Sequence, residues 1–315
     1  SGTMSNTDLI NAIKTSNDVV VTAELTTRIS ELTTLTGRTF ALSLDNDTVL
    51  AVSGGADTIT ATNLTYATND LVVDTNLSDA DVFTLTTDTD ISATPVVVGM
   101  ENFNVNVTSV YGGTDDPESL DFDADNVRSS TLNFDVTNSS SVVTGLAITN
   151  LPIGVPVTSS TEFTTVSISA DDNAVVNYTG YATTLALQSS GTLTDVTAVV
   201  RATTAGTIST DSDTVATFTT TADTTVTAAA ADTVRVTSGG QATVTAAAAN
   251  TVSVTSTEEA IITANSAETI TFVSGDGIDT LSASAIDSTI SSTNANTITV
   301  NVAGNTSSTV VDISG

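Results

Sequence analysis

Thr225–Ala242 reads TVTAAAADTVRVTSGGQA, and the stretch that follows directly, Thr243–Ala260, reads TVTAAAANTVSVTSTEEA. The second is close to a copy of the first. At a step of 18 residues Val226 maps onto Val244 and Ile262, Val234 onto Val252 and Ile270, and Val236 onto Val254 and Phe272. Each copy holds a Val-Thr strand and a Val-x-Val strand, joined by small or turn-forming residues. One copy cannot bury its valines alone. Stacked copies set each valine over its counterpart and give every backbone N–H a carbonyl in the next rung, about 4.8 Å away. The pattern predicts an all-β fold, a right-handed parallel β-solenoid with rungs of about 18 residues, with these apolar residues inward and Arg235 and Ser253 outward. Ala228–Ala231 would favour a helix in isolation, but its β-branched neighbours and the register outvote it, and small residues suit a tight corner.

Upstream the period drifts while strand-like alternation persists. Phe40, Leu42 and Leu44 share one face, as do Phe103, Val105 and Val107, and Leu132, Phe134 and Val136. A β-sandwich is the alternative for this region. The segment LPIGVPV (Leu151–Val157) interrupts the array. Near the start, Asn6–Thr15 is predicted as a short helix with Leu9, Ile10 and Ile13 on one face and Asn6 or Thr7 as its cap. Ala23–Leu35 has helical spacing at Leu25, Ile29, Leu32 and Leu35, and Gly37 would stop it. Ser1, Gly2 and Thr3 before Met4 look like an expression scar. The expected divisions are therefore residues 1–3 as that scar, 4–38 as an N-terminal helical or anchoring segment, 39–160 as an irregular β region and 161–315 as regular solenoid.

The chain has 315 residues, 36 of them Asp or Glu and 6 Lys or Arg, for a net charge of −30. Such a chain repels nucleic acid and anionic lipid and attracts divalent cations. Its basic residues, Lys14, Arg28, Arg38, Arg128, Arg201 and Arg235, are scattered and draw no phosphate-binding stripe. Charged residues are only 13% of the chain, and its bulk of Thr, Val, Ala and Ser points to ordered β structure rather than disorder. There is no Cys, so no disulfide and no thiolate metal site forms. No apolar run approaches the ~20 residues that span a bilayer, and SNTDLINAIKTSND lacks the basic start and apolar stretch of a secretion signal.

Catalysis is poorly provided for. Absence of His and Cys removes the usual triads, Cys–His pairs and imidazole metal sites. Carboxylate pairs could run glycoside hydrolysis, but there is no clustered Arg or Lys for an anionic sugar, no Trp, and only four scattered tyrosines. The expectation is a protein that is not an enzyme. Acidic pairs in Asp-x-Asp spacing recur at Asp45/Asp47, Asp79/Asp81, Asp88/Asp90, Asp121/Asp123/Asp125 and Asp211/Asp213. In a strand this spacing points both carboxylates to one face, and in a turn it can wrap a hard cation. DFDADN (Asp121–Asn126) starts like a calcium loop, but Asn126 replaces the required Gly and Leu132 the closing Glu, so an EF-hand is not expected.

SGDGIDTLS (Ser274–Ser282) and SGGADTIT (Ser53–Thr60) resemble the calcium-binding nonapeptide of RTX proteins. Gly275, Gly277, Asp279 and Leu281 occupy its glycine, aspartate and apolar positions, with Ser274 in place of the first Gly. Gly54, Gly55, Asp57 and Ile59 fit it with one residue deleted. VVVGMENFNVNVTS (Val96–Ser109) resembles a Gly-x-Glu element that recurs in S-layer and other large RTX surface proteins. The chain is short for an S-layer protein and has no clear RTX block at its C-terminus. The resemblance implies a type I secreted protein at the cell surface. It also implies calcium, held by Asp279 with the carbonyls of Gly275 and Gly277, and by Asp57 with Gly54. Asp121, Asp123 and Asp125 are further candidate ligands from their spacing alone.

The function expected first is a non-catalytic extracellular structural protein, S-layer-like and self-assembling or adhesive. Its partners would be copies of itself and cell-surface polysaccharide or a capsid, with no nucleic acid and no membrane insertion. The alternatives are a phage virion component (capsid decoration, fibre or tail) and a β-helical polysaccharide-active enzyme.

Overall fold

The computed structural model describes residues 37–51, 54–76, 79–108, 119–136, 144–171, 174–189, 193–201, 205–275, 277–283 and 295–302. Among these there is no helix. The predicted helices Asn6–Thr15 and Ala23–Leu35 lie outside the described residues.

The strands run in chain order as β1 (Thr39–Ala41), β2 (Thr48–Ala51), β3 (Thr58–Thr62), β4 (Leu71–Asp74), β5 (Val82–Thr87), β6 (Val96–Val98), β7 (Asn102–Val107) and β8 (Ser119–Asp123). There follow β9 (Val127–Arg128), β10 (Leu132–Val136), β11 (Gly145–Leu151), β12 (Val157–Ala170), β13 (Ala174–Ser189), β14 (Leu193–Val200), β15 (Gly206–Thr210) and β16 (Ser212–Thr220). The last are β17 (Thr224–Ala228), β18 (Thr233–Ser238), β19 (Ala242–Thr245), β20 (Thr251–Ser256), β21 (Ala260–Ala264), β22 (Thr269–Val273), β23 (Gly277–Ala283) and β24 (Ala295–Val302).

Every pairing between these strands is parallel, and each joins one turn of the coil to the next. The first face stacks β1, β3, β5, β7, β10, the first halves of β12 and β13, then β14, β16, β18, β20 and β22. The second stacks β8, β11, the second halves of β12 and β13, then β15, β17, β19, β21, β23 and β24. A third, short face is the four-stranded sheet β2-β4-β6-β9. The fold is a parallel β-solenoid, and it takes in the described residues between 39 and 160, where the sandwich alternative would have needed two packed sheets of antiparallel strands.

Register explains why the repeat is plain in one half and hidden in the other. From β16 to β22 the pairs Ala216↔Val234, Val234↔Val252 and Val252↔Ile270 each advance by 18 residues. On the second face Val226↔Val244↔Ile262 does the same. Upstream the step varies: Phe83↔Phe103 advances by 20 and Phe103↔Leu132 by 29. The inward positions stay stacked although the period drifts.

All nine apolar residues singled out in the copies are buried, from Val226 and Val234 to Ile270 and Phe272. Arg235 is exposed and Ser253 half-buried on the outer side. Ala228 and Ala231 are buried, Ala229 and Ala230 exposed, and the chain bends there instead of coiling. Leu44 departs from its expected inward position and is 79% exposed. β1 ends at Ala41, and the Ser43 N–H donates to Asp47 Oδ2 at 2.6 Å, which turns the chain before Leu44. In the wider upstream rungs the core holds aromatic rings. Phe83 and Phe103 stack at 4.6 Å between centroids, Tyr66 meets both edge-on, and Phe122 and Phe134 continue the cluster.

Where strands turn, small hydroxyls close the corner. Thr220, Ser238, Ser256 and Ser274 follow one another at the 18-residue step and are all buried. Ser238 Oγ lies 3.0 Å from the Ala222 carbonyl and 3.1 Å from that of Gln241, and Ser256 Oγ 3.0 Å from that of Glu258. These side chains replace the backbone partners that a turning chain loses.

Val252→Asp places an uncompensated carboxylate in a dry stack between Val234 and Ile270. The expected loss is about 3 to 5 kcal/mol of unfolding free energy, measured by urea denaturation, and parent-like stability would refute the inward stacking.

Candidate metal centre

On the first face the residue just before each strand occupies one corner. Before β1, β3, β5 and β7 these residues are Arg38, Asp57, Asp81 and Glu101. The register that pairs Thr39 with Thr58, Thr58 with Val82 and Val82 with Asn102 stacks them in a column. Each carboxylate in the column takes the backbone N–H of the rung before it. Arg38 N–H donates to Asp57 Oδ1 at 2.6 Å, Asp57 N–H to Asp81 Oδ1 at 2.5 Å, and Asp81 N–H to Glu101 Oε2 at 2.6 Å. A corner N–H has no carbonyl in line, so a short acid supplies the acceptor, and charge-assisted bonds of this kind are strong ones. Asp70 plays the same part before β4, accepting the N–H groups of Asp47 and Ala67 at 2.8 Å each.

At Asp81 the column becomes a cluster. Asp74 ends β4, and its two oxygens both accept the Asn76 N–H at 3.0 Å. The chain then returns through Asp79 to Asp81, with Ala80 between them at φ +67°. One carboxylate oxygen from each of Asp74, Asp79, Asp81 and Glu101 lies within 4.8 Å of the others. Asp81 is fully buried and Asp74 nearly so. Four oxygens, Asp79 Oδ1 and Oδ2, Asp81 Oδ2 and Glu101 Oε1, are buried and accept no hydrogen bond. Gly99 makes the approach possible: its φ is +90°, and a Cβ there would meet the Asp74 carbonyl oxygen at 2.3 Å.

The electrostatics follow from this crowding. Burial pushes the Asp81 carboxyl up to about 7, against the pull of the Asp57 N–H, and the charges of Asp79, Asp74 and Asp57 push the same way as burial. Burial also raises Asp74, with Asp79 and Glu101 adding to it and the Asn76 N–H opposing. Like charges held together out of water favour protonation or a cation. The cluster has the donor set to hold a metal ion, all of it carboxylate oxygen.

The residues expected from sequence take other places. Asp57 is buried in the column, and Arg38 engages both its oxygens, the guanidinium standing 3.3 Å from Oδ2. Gly54 lies in an exposed bend. Asp121 and Asp123 point outward from β8. The Asp121 N–H donates to Asp90 Oδ1, while Asp123 Oδ1 accepts the Asp125 N–H and the Asn150 amide. Among the described residues the three do not gather into a cluster. Gly275 lies against the preceding rung, where a Cβ would meet the Thr257 carbonyl oxygen at 1.9 Å. Gly277 and Asp279 are on β23, with Asp279 opposite Ile298 of β24, and the side chain of Asp279 lies outside the described residues.

Asp79 and Asp81 stood out in sequence as an Asp-x-Asp pair, and Glu101 as part of the Gly-x-Glu element. Their convergence with Asp74 did not. The usable signal was an acid two residues before an inward apolar residue, repeated as Asp57/Ile59, Asp81/Phe83 and Glu101/Phe103.

Fold and site define a parallel β-solenoid repeat protein with an acidic cluster built between its rungs. No protein-family model, no curated protein and no solved structure matches the chain.

Two outcomes follow from the cluster. Asp81 has a folded-state pKa above its unfolded value, so the folded chain keeps this proton longer than the unfolded chain does. That contribution to stability is full at low pH and is lost as pH rises towards about 7. In chelator, the melting temperature should therefore fall from about pH 5 to about pH 8, a range in which ordinary carboxylates are already ionised, and Asp81→Asn should flatten the fall. Gly99→Ala should lower stability by about 1 to 3 kcal/mol through backbone strain, more than an alanine placed at exposed Gly54, as read by thermal melting.

Proposed function

We propose that this protein is a non-catalytic structural rod of a surface layer, RTX- and S-layer-like, secreted by a type I route and assembled side by side. Its coil is right-handed, the hand that parallel crossovers favour, and calcium is the ion that the resemblance supplies at Gly275, Gly277 and Asp279. The observation that carries the assembly reading is the outer side of the second face. In a chain of net charge −30, two adjacent columns of paired outer residues on this side hold no charged side chain. One column runs Thr165, Thr184, Thr207, Thr225, Thr243, with Ile261 and Thr280 after it. The next holds Ser167, Ala186, Ser209, Thr227, Thr245 and Thr263 along the same pairings. Rods of this net charge repel one another, and on this side they can approach without burying a carboxylate. The threonines of these columns are stiff at χ1, so little side-chain entropy is lost on contact.

Sedimentation velocity and negative-stain microscopy of the full chain test this. The parent should form lateral assemblies, and Thr225→Glu with Thr243→Glu should stay monomeric with an unchanged melting temperature. A parent that is monomeric at every concentration, or a charged variant that assembles like it, overturns the reading.

A second reading has its own support. The threonine columns form a grid, about 4.8 Å between strands and about 6.6 Å along them, which suits adhesion to a repeating solid such as ice. Thermal hysteresis in the parent, lost in the same double variant, would favour adhesion over lateral assembly.

A further inference from the structure

We infer that Asp74, Asp79, Asp81 and Glu101 form a binding site for one hard divalent cation of calcium's size and coordination, which staples the β4–β5 connection to the rung that begins with β7. This site is separate from the RTX-like turn at Asp279, and it does not rest on the assembly reading.

The first support is how the carboxylates divide their work. Asp81 and Glu101 each give one oxygen to the N–H of the preceding rung, Asp57 and Asp81 respectively. The other oxygen of each, Asp81 Oδ2 and Glu101 Oε1, is buried and accepts nothing. Asp79 leaves both oxygens in that condition. A column serving only to hold backbone would need one acceptor per corner, and Asp79 serves no backbone group. Asp81 is 0% exposed, so bulk solvent does not reach it. A buried acceptor without a partner is costly, and several ionised ones together are more so.

The second support is the kind of partner that fits. Asp57, one rung earlier in the column, has its charge met by Arg38. Among the described residues no basic side chain forms an ion pair with the four acids. The chain contains no His and no Cys, so every donor is oxygen, which suits a hard ion and disfavours zinc or copper. Calcium accepts six to eight oxygens in irregular geometry, whereas magnesium keeps several waters and seldom takes a cage of protein carboxylates. Four acids drawn from three points of the chain, one of them reached through Ala80 in the left-handed region, fit the larger ion.

Asp79→Asn is the discriminating variant, because Asp79 accepts no hydrogen bond from the protein and its loss leaves the column intact. Calcium chloride is titrated calorimetrically into the full-length parent, Asp79→Asn, Glu101→Gln and Asp279→Ala, with melting temperatures recorded in calcium and in chelator. The parent should bind calcium with a defined stoichiometry and melt higher in calcium than in chelator. Asp79→Asn should lose at least about tenfold in affinity at one site and melt in chelator no lower than the parent, since one repelling charge is gone. Asp279→Ala should keep this site. The inference is overturned if Asp79→Asn and Glu101→Gln bind calcium as the parent does, or if Asp279→Ala alone abolishes binding. It is also overturned if magnesium competes as well as calcium at equal concentration. None of these outcomes bears on whether the charge-free face assembles.

Discussion

A parallel coil works only if every rung places its N–H groups under the carbonyls of the next, and in this molecule all else is arranged around that register. Within a strand the backbone satisfies itself across the gap between rungs. At a corner the chain turns away and the ladder breaks. Two kinds of side chain mend the break, and their balance differs between the two halves of the molecule. In the 18-residue rungs they are mostly neutral hydroxyls, Thr220, Ser238 and Ser256, which bond to carbonyls of the turn, with Asp223 accepting the Gln241 N–H. In the wider rungs near the start Thr87 and Ser129 hydroxyls do the same, but a column of carboxylates also reaches back to the N–H of the rung before. Hydroxyls leave no net charge to balance. Carboxylates bond more strongly but pile charge along the column, and the crowding at Asp81 is the result.

This contrast also explains what the sequence could disclose. Where corners keep the same short length from rung to rung, successive rungs are equal, and Val234, Val252 and Ile270 fall in line by counting alone. Where corners take on extra residues and a third face, the inward alternation survives in Phe83, Phe103 and Leu132, but the intervals become unequal. Strands could be recognised there, and their stacking could not, which is why a sandwich remained open for that region. The acidic site was half legible for the same reason. Asp79 and Asp81 are neighbours in the chain and announced themselves by spacing. Asp74 and Glu101 join them only through the fold, one from the third face and one from the next rung. The RTX-like glycine Gly275 marks a further limit of motif reading, because its absent side chain is demanded by the closeness of the Thr257 carbonyl whether or not an ion is held nearby.

Packing and surface chemistry are separated in space. The inner side carries the apolar stacks and the aromatic cluster. The outer side of the second face contributes little to either; Asp121 and Asp123 of β8 point outward at one end, and from Thr165 to Thr263 its two columns are uncharged. Most of the acidic residues among those described lie in corners and at the ends of strands, away from these columns.

The equal 18-residue rungs have a consequence for how such a chain can change over generations. A rung here contacts only its two neighbours, so duplicating or deleting one unit of sequence, a simple slippage event in the gene, lengthens or shortens the molecule while both faces stay continuous and the core stays filled. The near-identity of Thr225–Ala242 and Thr243–Ala260 has the form such an event would leave. In this half of the molecule length is a quantity that selection can tune in fixed increments, whereas the irregular rungs around Asp81, each with its own loop and its own partner, can be lost or gained only as a whole.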